Sequence, residues 1–306
     1  MSTKGSICLF SSFFTGSKLP FYVWYYLSNL KPHFSKIVFI TNQKEDNQWQ
    51  KELENLGIDI LEVQNEGYDF GMWGKAIELY QIGQYEMVAL VNDSCILFRP
   101  LDEEMNRIAS MKEEYIGLVI SDRIESHIQS YFIVARGRAV SLMADYFRLK
   151  GLITEYRQVI HTYEIGMSQY MLANGVKIAG LYNAEHRNYP KNPSFARIGE
   201  LIEEGIPMIK KKIMFRNYRG LEHYWVVRMN FNTDYRHYVR KIRARYPDDN
   251  RLIDFDRVML DAPRKGHWDI MFYEASRHIA NAARYVPGVK PVFRSLASWM
   301  RRRRSP

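Results

Sequence analysis

An α/β fold with a mostly parallel central sheet is what this sequence predicts, and two observations predict it. Between residues 7 and 91, four short apolar runs alternate with helix-like segments in the order β-α-β-α-β-α-β. The runs are apolar on both faces rather than alternating, as strands covered by helices on both sides are. Composition agrees: 306 residues, 46% apolar and 25% charged, suit a globular chain with a full core rather than a disordered or fibrous one.

The first strand is expected at 7–10 and an aromatic-rich helix at 21–30. A second strand at 36–40 ends at Thr41-Asn42, and a helix at 48–56 is stopped by Gly57 before a third strand at 58–63. A helix at 72–82 leads to the fourth strand at 87–91. Later strands are expected at 116–121, 130–134 and 176–182, with helices at 137–149 and 164–174, the last ended by Gly175. Helical patterns dominate from about residue 195. Cys8 and Cys95 each lie in an apolar run and read as reduced core thiols, which favours a cytosolic address. No signal-peptide pattern opens the chain, and no apolar stretch of about 20 residues occurs.

Ligands on open α/β sheets bind beyond the carboxyl ends of the strands. That edge holds Asn42, the loop 65–71 and Asn92-Asp93-Ser94. The loop Asn65-Glu66-Gly67-Tyr68-Asp69-Phe70-Gly71 opens a helix. Its glycines let backbone approach a ligand near a helix N-terminus, or serve a tight turn equally well. It is neither a G-x-G-x-x-G fingerprint nor a P-loop. Asp93, leaving a buried strand, suits a divalent cation that bridges a diphosphate, or caps a turn. Glu164, just before a helical run, either complements the helix dipole or acts as general base toward a hydroxyl. His127, Gln129 and Ser130 precede a strand and suit substrate contact or plain loop polarity. Without a Gly-x-Ser-x-Gly elbow they do not read as a nucleophilic triad. His186 on its own is a loop histidine.

Taken in order, Asn65-x-Gly67-x-Asp69-x-Gly71, Val91-Asn92-Asp93-Ser94, His127-x-Gln129-Ser130-Tyr131-Phe132 and Glu164-x-x-Met167-Ser168 resemble the rhamnan synthesis protein F family of bacterial glycosyltransferases. Asn192-Pro193-Ser194, followed by the acidic stretch 200–207, resembles the same family, so the likeness spans about residues 5–216. The resemblance implies a GT-A-like nucleotide-sugar-binding fold. It implies that Asn65, Gly67, Asp69, Asn92, Asp93 and Ser94 face the nucleotide-sugar donor, and that His127, Gln129 and Ser130 face the acceptor. Glu164 becomes the base of an inverting displacement, and Asp93 and His186 become candidate ligands for Mg²⁺ or Mn²⁺. Asn92-Asp93-Ser94 offers one carboxylate where many relatives present two, so a reaction with or without metal stays open. The implied product is a cell-surface polysaccharide (rhamnan, O-antigen or capsule) extended on a polysaccharide or lipid-linked glycan acceptor, with rhamnose among the candidate sugars. The alternative is a non-catalytic scaffold subunit of the assembly complex.

Charge divides the chain. Residues 1–209 sum to −5, 210–263 to +6 and 264–306 to +8, within an overall +9. The expected organisation is a catalytic domain over 1–208 and a helical, basic region over 209–306. In 267–299 aromatic and aliphatic residues alternate with Lys and Arg, and Arg301–Arg304 follow, as suits a helix lying on an anionic membrane surface. A nucleic-acid partner is not expected, since the body carries no basic recognition face. These readings place the protein in the cytoplasm, peripheral on the inner face of the bacterial plasma membrane.

Overall fold

A computed structural model describes residues 5–14, 18–43, 48–122, 124–183, 192–215 and 235–262. The strands β1 (Ser6–Ser12), β2 (Lys36–Thr41), β3 (Asp59–Glu62) and β4 (Met87–Asn92) are linked through the helices α1 (Phe21–Leu30), α2 (Gln48–Asn55) and α3 (Tyr68–Leu79). These four strands are parallel, with β1 between β2 and β4. β1 explains the lack of alternation in the sequence. Ile7, Cys8, Leu9 and Phe10 are all fully buried, because both faces of the sheet are covered. Ile7 and Leu9 join Val38, Ile40, Val88 and Leu90 in one core with Phe70, Trp73 and Met143. On the opposite face Phe10 meets Tyr26 edge-on at 5.3 Å and stacks on Phe39 at 6.0 Å. Trp73 caps the first arrangement by donating its indole N–H to Leu9 O at 3.1 Å.

After β4 the chain leaves the sheet through β5 (Cys95–Leu97) and α4 (Asp102–Ser110), neither of which the periodicity predicted. It returns through β6 (Tyr115–Ser121), β7 (His127–Ile128) and β8 (Phe132–Arg136). β8 inserts antiparallel between β4 and β6. β9 (Ile178–Asn183) then adds parallel to β6. The sheet order is β3-β2-β1-β4-β8-β6-β7, with β9 on β6. The result is the mixed, mostly parallel sheet with flanking helices that was expected, with β7 and β8 running against the rest. Between β8 and β9 lie α5 (Arg138–Lys150), α6 (Tyr156–Val159), a π-helical turn (Ile160–Ile165) and α7 (Gly166–Ala173).

The chain continues with α8 (Pro193–Ala196), α9 (Ile198–Glu204), β10 (Met208–Lys210), α10 (Lys211–Phe215), α11 (Tyr235–Arg245) and α12 (Phe255–Leu260). Within the described residues, those up to Met214 and those from Tyr235 to Asp261 form one compact unit. The boundary expected after residue 208 falls inside β10, which pairs antiparallel with β5. No described helix is long and apolar enough to cross a membrane. The basic stretch 267–304, where a membrane-surface helix was expected, lies outside the described residues.

Two departures from the expected helices matter for the site. α3 starts four residues before the expected position 72, because Gly67 takes a left-handed conformation (φ 74°) and turns the chain straight from the loop into the helix. The helix expected to open at Glu164 is already running. Glu155 caps it by accepting from the N–H groups of Arg157 and Gln158, and Glu164 sits in the π turn.

Candidate active site

The antiparallel insertion of β8 builds the site. Val91 of β4 pairs with Phe132, so the residues that precede β8 meet the residues that follow β4, at the carboxyl edge of the sheet. Asn92 N–H donates to Tyr131 O (3.3 Å) and Asp93 N–H to Ser11 O (3.2 Å). Two polar clusters form on either side of the segment 129–131.

The first cluster is anchored by Asp69 and Asp93. Asp69 arrives from the first turn of α3. Its Oδ1 accepts from Ser11 Oγ (3.1 Å) and its Oδ2 from Asn92 Nδ2 (2.9 Å). Burial, and then the charge of Asp93, push Asp69 up to about 6, against the downward pull of Ser11, Lys211 and Lys210. Asp93 is buried and its Oδ2 takes three donors: Lys211 Nζ at 3.0 Å, Ser12 Oγ at 3.1 Å and Tyr22 OH at 3.5 Å. Asn92 Oδ1 accepts from Ser94 N–H, which shapes the turn between β4 and β5. β10 then brings two ammonium groups to that turn. Lys211 N–H donates to Ser94 O (2.8 Å), while Lys210 Nζ reaches Ser94 Oγ (3.3 Å) and lies 4.1 Å from the centre of the Tyr131 ring.

The second cluster is centred on Glu164. Ser130 Oγ donates to its Oε2 (2.8 Å) and Gln129 Nε2 to its Oε1 (3.2 Å). The same Gln129 amide is 3.2 Å from His127 Nε2, and its Oε1 accepts from Asn192 Nδ2 (2.6 Å). His127 Nδ1 stands 2.7 Å from Glu125 O, and a carbonyl only accepts. The proton of a neutral His127 therefore sits on Nδ1, which leaves Nε2 to accept from Gln129. His127 Nε2 lies 3.7 Å from Glu164 Oε1.

The π turn explains how Glu164 reaches this position. A Cβ at Gly166 would lie 2.5 Å from Tyr146 OH, and that hydroxyl donates to Thr162 O at 2.6 Å. The widened turn thus offers one of its carbonyls to Tyr146. Tyr163 turns inward and stacks on Phe70 at 5.0 Å. Phe70 follows Asp69 and Tyr163 precedes Glu164, so this one ring contact braces both acidic residues.

Most of the candidates read from the sequence meet here: Asp69, Asn92, Asp93 and Ser94 in one cluster, His127, Gln129, Ser130 and Glu164 in the other. The helix-dipole role weighed for Glu164 does not apply, since a helical turn precedes it. Gly67 and Gly71 answer to the turn: a Cβ on Gly71 would stand 1.7 Å from Glu66 O. Asn65 is exposed and takes no part in either cluster, and His186 lies outside the described residues. Sequence reasoning missed Ser11, Ser12, Tyr22, Lys210 and Lys211, and it singled out Asn192 only as part of a family-like segment, without its contact to Gln129. The lysines had a signal, a Lys210-Lys211-Lys212 run directly after the apolar segment 206–209, but it was read as the start of the basic region.

A carboxylate held by hydroxyl and amide donors, beside a second acidic cluster at the ligand edge of a mostly parallel sheet, is equipped for group transfer to a hydroxyl. The family model of rhamnan synthesis protein F matches residues 37–259, and the chain belongs to that family. No curated protein matches the chain. Among solved structures it is similar to a cytidylyltransferase from Leptospira borgpetersenii, at 12% identity and a TM-score of 0.38, covering 60% of this chain and 78% of that one. It is also similar to a Desulfovibrio desulfuricans protein assigned as a nucleotide-diphospho-sugar transferase, at 14% identity and a TM-score of 0.40, covering 58% and 80%.

Proposed function

We propose that this chain is a glycosyltransferase that moves a sugar from a nucleotide-sugar donor to a hydroxyl of a growing cell-surface glycan, by inverting displacement. The observation that carries the reading is Glu164, fixed by Ser130 and Gln129 across the 129–131 segment from the Asp69-Asn92-Asp93 cluster. Family membership supports a sugar-transfer role. Glu164 takes the proton of the acceptor hydroxyl as its oxygen attacks the anomeric carbon. The bond from that carbon to the diphosphate breaks, and the nucleoside diphosphate leaves with the electron pair. Ser130 and Gln129 hold the base in place, and His127 fixes the Gln129 amide. Asp69 and Asn92 line the donor side. The acceptor is a polysaccharide or lipid-linked glycan, met at the inner face of the plasma membrane, where the basic stretch 267–304 would bind anionic lipid.

The test is nucleoside diphosphate release from a panel of donors (dTDP-rhamnose, UDP-hexoses, GDP-sugars), with and without a glycan acceptor. Turnover of one donor class, stimulated by acceptor, is the expected result. A panel in which no donor is bound or turned over with any acceptor overturns the reading.

A further inference from the structure

We infer that Lys210 and Lys211 form the subsite for the donor's diphosphate, and that this subsite works without a divalent cation. The inference deepens the transferase reading and rests on it.

Asp93 was one candidate ligand for a divalent cation at this edge, with His186, which lies outside the described residues. The described donor set fits a cation poorly: no third Asp, Glu, His or Cys joins Asp93 and Asp69. Hard cations require oxygen lone pairs. Asp93 Oδ2 is taken by an ammonium and two hydroxyls, which leaves Oδ1 as that carboxylate's one oxygen toward a cation. Asp69, the neighbouring carboxylate, has one oxygen on Ser11 and the other on Asn92. What converges on the turn after β4 beside these two carboxylates is a pair of ammonium groups.

Backbone contacts hold the two lysines in place. Lys210 pairs with Cys95 in the β5–β10 ladder, and Lys211 N–H is bonded to Ser94 O. Each ammonium also lies by an aromatic ring, Lys210 at 4.1 Å from Tyr131 and Lys211 at 5.4 Å from Tyr22. An ammonium carries three N–H donors. Lys211 directs donors at Asp93 and Tyr22, and Lys210 directs one at Ser94, so both retain N–H groups for a further acceptor. Among the described residues Asp93 pairs with Lys211, and no carboxylate pairs with Lys210. Asp69 lies near both ammonium groups without an ion-pair contact to either, so Lys210 is the one of the two with no direct carboxylate partner, partly exposed at the ligand edge.

Its position suits the leaving group. Lys210 covers the ring of Tyr131, and the adjacent Ser130 holds Glu164. When the acceptor oxygen bonds the anomeric carbon and its proton passes to Glu164, the electron pair of the broken bond stays on the β-phosphate. The new charge on that oxygen is met by the two ammonium groups.

The test is calorimetric titration of inorganic pyrophosphate in EDTA, with wild type, Lys210→Gln and Lys211→Met. The first variant leaves the Lys211–Asp93 pair intact and guards against loss of fold, which circular dichroism monitors. Wild type is expected to bind pyrophosphate in EDTA, each neutral variant about tenfold or more weakly, and Lys211→Arg to restore most of the affinity. Binding that requires Mg²⁺ or Mn²⁺, or that both neutral variants leave unchanged, overturns the inference. Donor turnover abolished by EDTA also overturns it while the transferase reading stands. Pyrophosphate binding in EDTA with no donor turned over in the panel sustains the anion subsite and overturns the transferase reading instead.

Discussion

Asn92 Nδ2 donates to Asp69 Oδ2 across 2.9 Å, tying the carboxyl end of β4 to the first turn of α3. The two residues belong to motifs 23 positions apart, and the contact makes them one structure. Because Asn92 also bonds its own turn through Ser94, a single amide spans the loop after β4 and the loop before α3. The geometry of the Asp69-Asn92-Asp93 cluster therefore depends on the sheet edge as a whole.

Glu164→Gln tests the base. A glutamine with its oxygen toward Gln129 still accepts that bond, and its amide can donate to Ser130 Oγ where Glu164 accepted, so the loop should keep its shape. What it loses is the capacity to take a proton, which contributes about 10²–10⁴-fold in general-base catalysis. Turnover should fall by that factor while donor binding, followed by thermal shift, stays near wild type. Near-normal turnover would remove Glu164 from the role.

Asp69 gives a stability signature in pH. Its native-state value is raised from 3.8 to about 6, so between pH 4 and 6 the native state holds a proton that the unfolded chain has lost. Stability contributed by this group is fully present below pH 4 and falls as pH rises toward 6, by up to about 3 kcal/mol. Asp69→Asn removes that dependence. Urea unfolding of both proteins at pH 4, 5, 6 and 7 should show the variant gaining on wild type as pH rises. A constant difference across the series contradicts the raised value.

Most of the scaffold was legible in the sequence because its signals are local. The helix at 21–30 appears at its expected bounds, and strands 36–40 and 87–91 each extend by one residue, since buried apolar runs and Gly57 mark them plainly. The π turn was not legible: it depends on Tyr146 OH bonding Thr162 O, sixteen residues away in sequence. The short β5 was missed for the same reason, whereas α4 carried a local signal in the acidic first turn Asp102-Glu103-Glu104. β5 is a three-residue strand whose partner, β10, lies more than a hundred positions on. The site followed this division. Asp69, Asp93 and Glu164 were named by their motifs, whereas Lys210 and Lys211 became visible only when β10 was placed against β5.

Gly71→Ala probes the turn that aims Asp69. Alanine is favoured over glycine in a helix by about 1 kcal/mol, yet here a Cβ would stand 1.7 Å from Glu66 O. Backbone must move, and with it the residues that enter α3. The variant should be less stable than wild type despite its better helix propensity, and should bind the donor more weakly. Chemical denaturation and donor titration check the two halves separately.

The last prediction concerns how β10 is held. Arg99 and Glu104 form a buried ion pair at 2.7 Å, and Arg99 and Tyr182 both donate to Gly205 O, just ahead of β10. Tyr182 OH stands equally close to Glu104 Oε1 (2.8 Å), so its one proton is shared between that carboxylate and Gly205 O, and burial raises the Glu104 carboxyl above its usual range despite the pull of Arg99. Glu104→Ala leaves the buried guanidinium with only the exposed Glu103, 3.6 Å away, as counter-charge, and losing the buried partner of such a pair costs up to about 3–5 kcal/mol. Replacing both partners with apolar residues of similar volume is often close to neutral, so Arg99→Met with Glu104→Leu should recover most of the loss. Since Gly205 leads into the strand that carries Lys210, Glu104→Ala should also weaken pyrophosphate binding at temperatures where the variant remains folded. Urea midpoints for the single and double variants decide the first point. If the double variant is as unstable as the single, the network owes its stability to the Gly205 hydrogen bonds rather than to the compensation of charge.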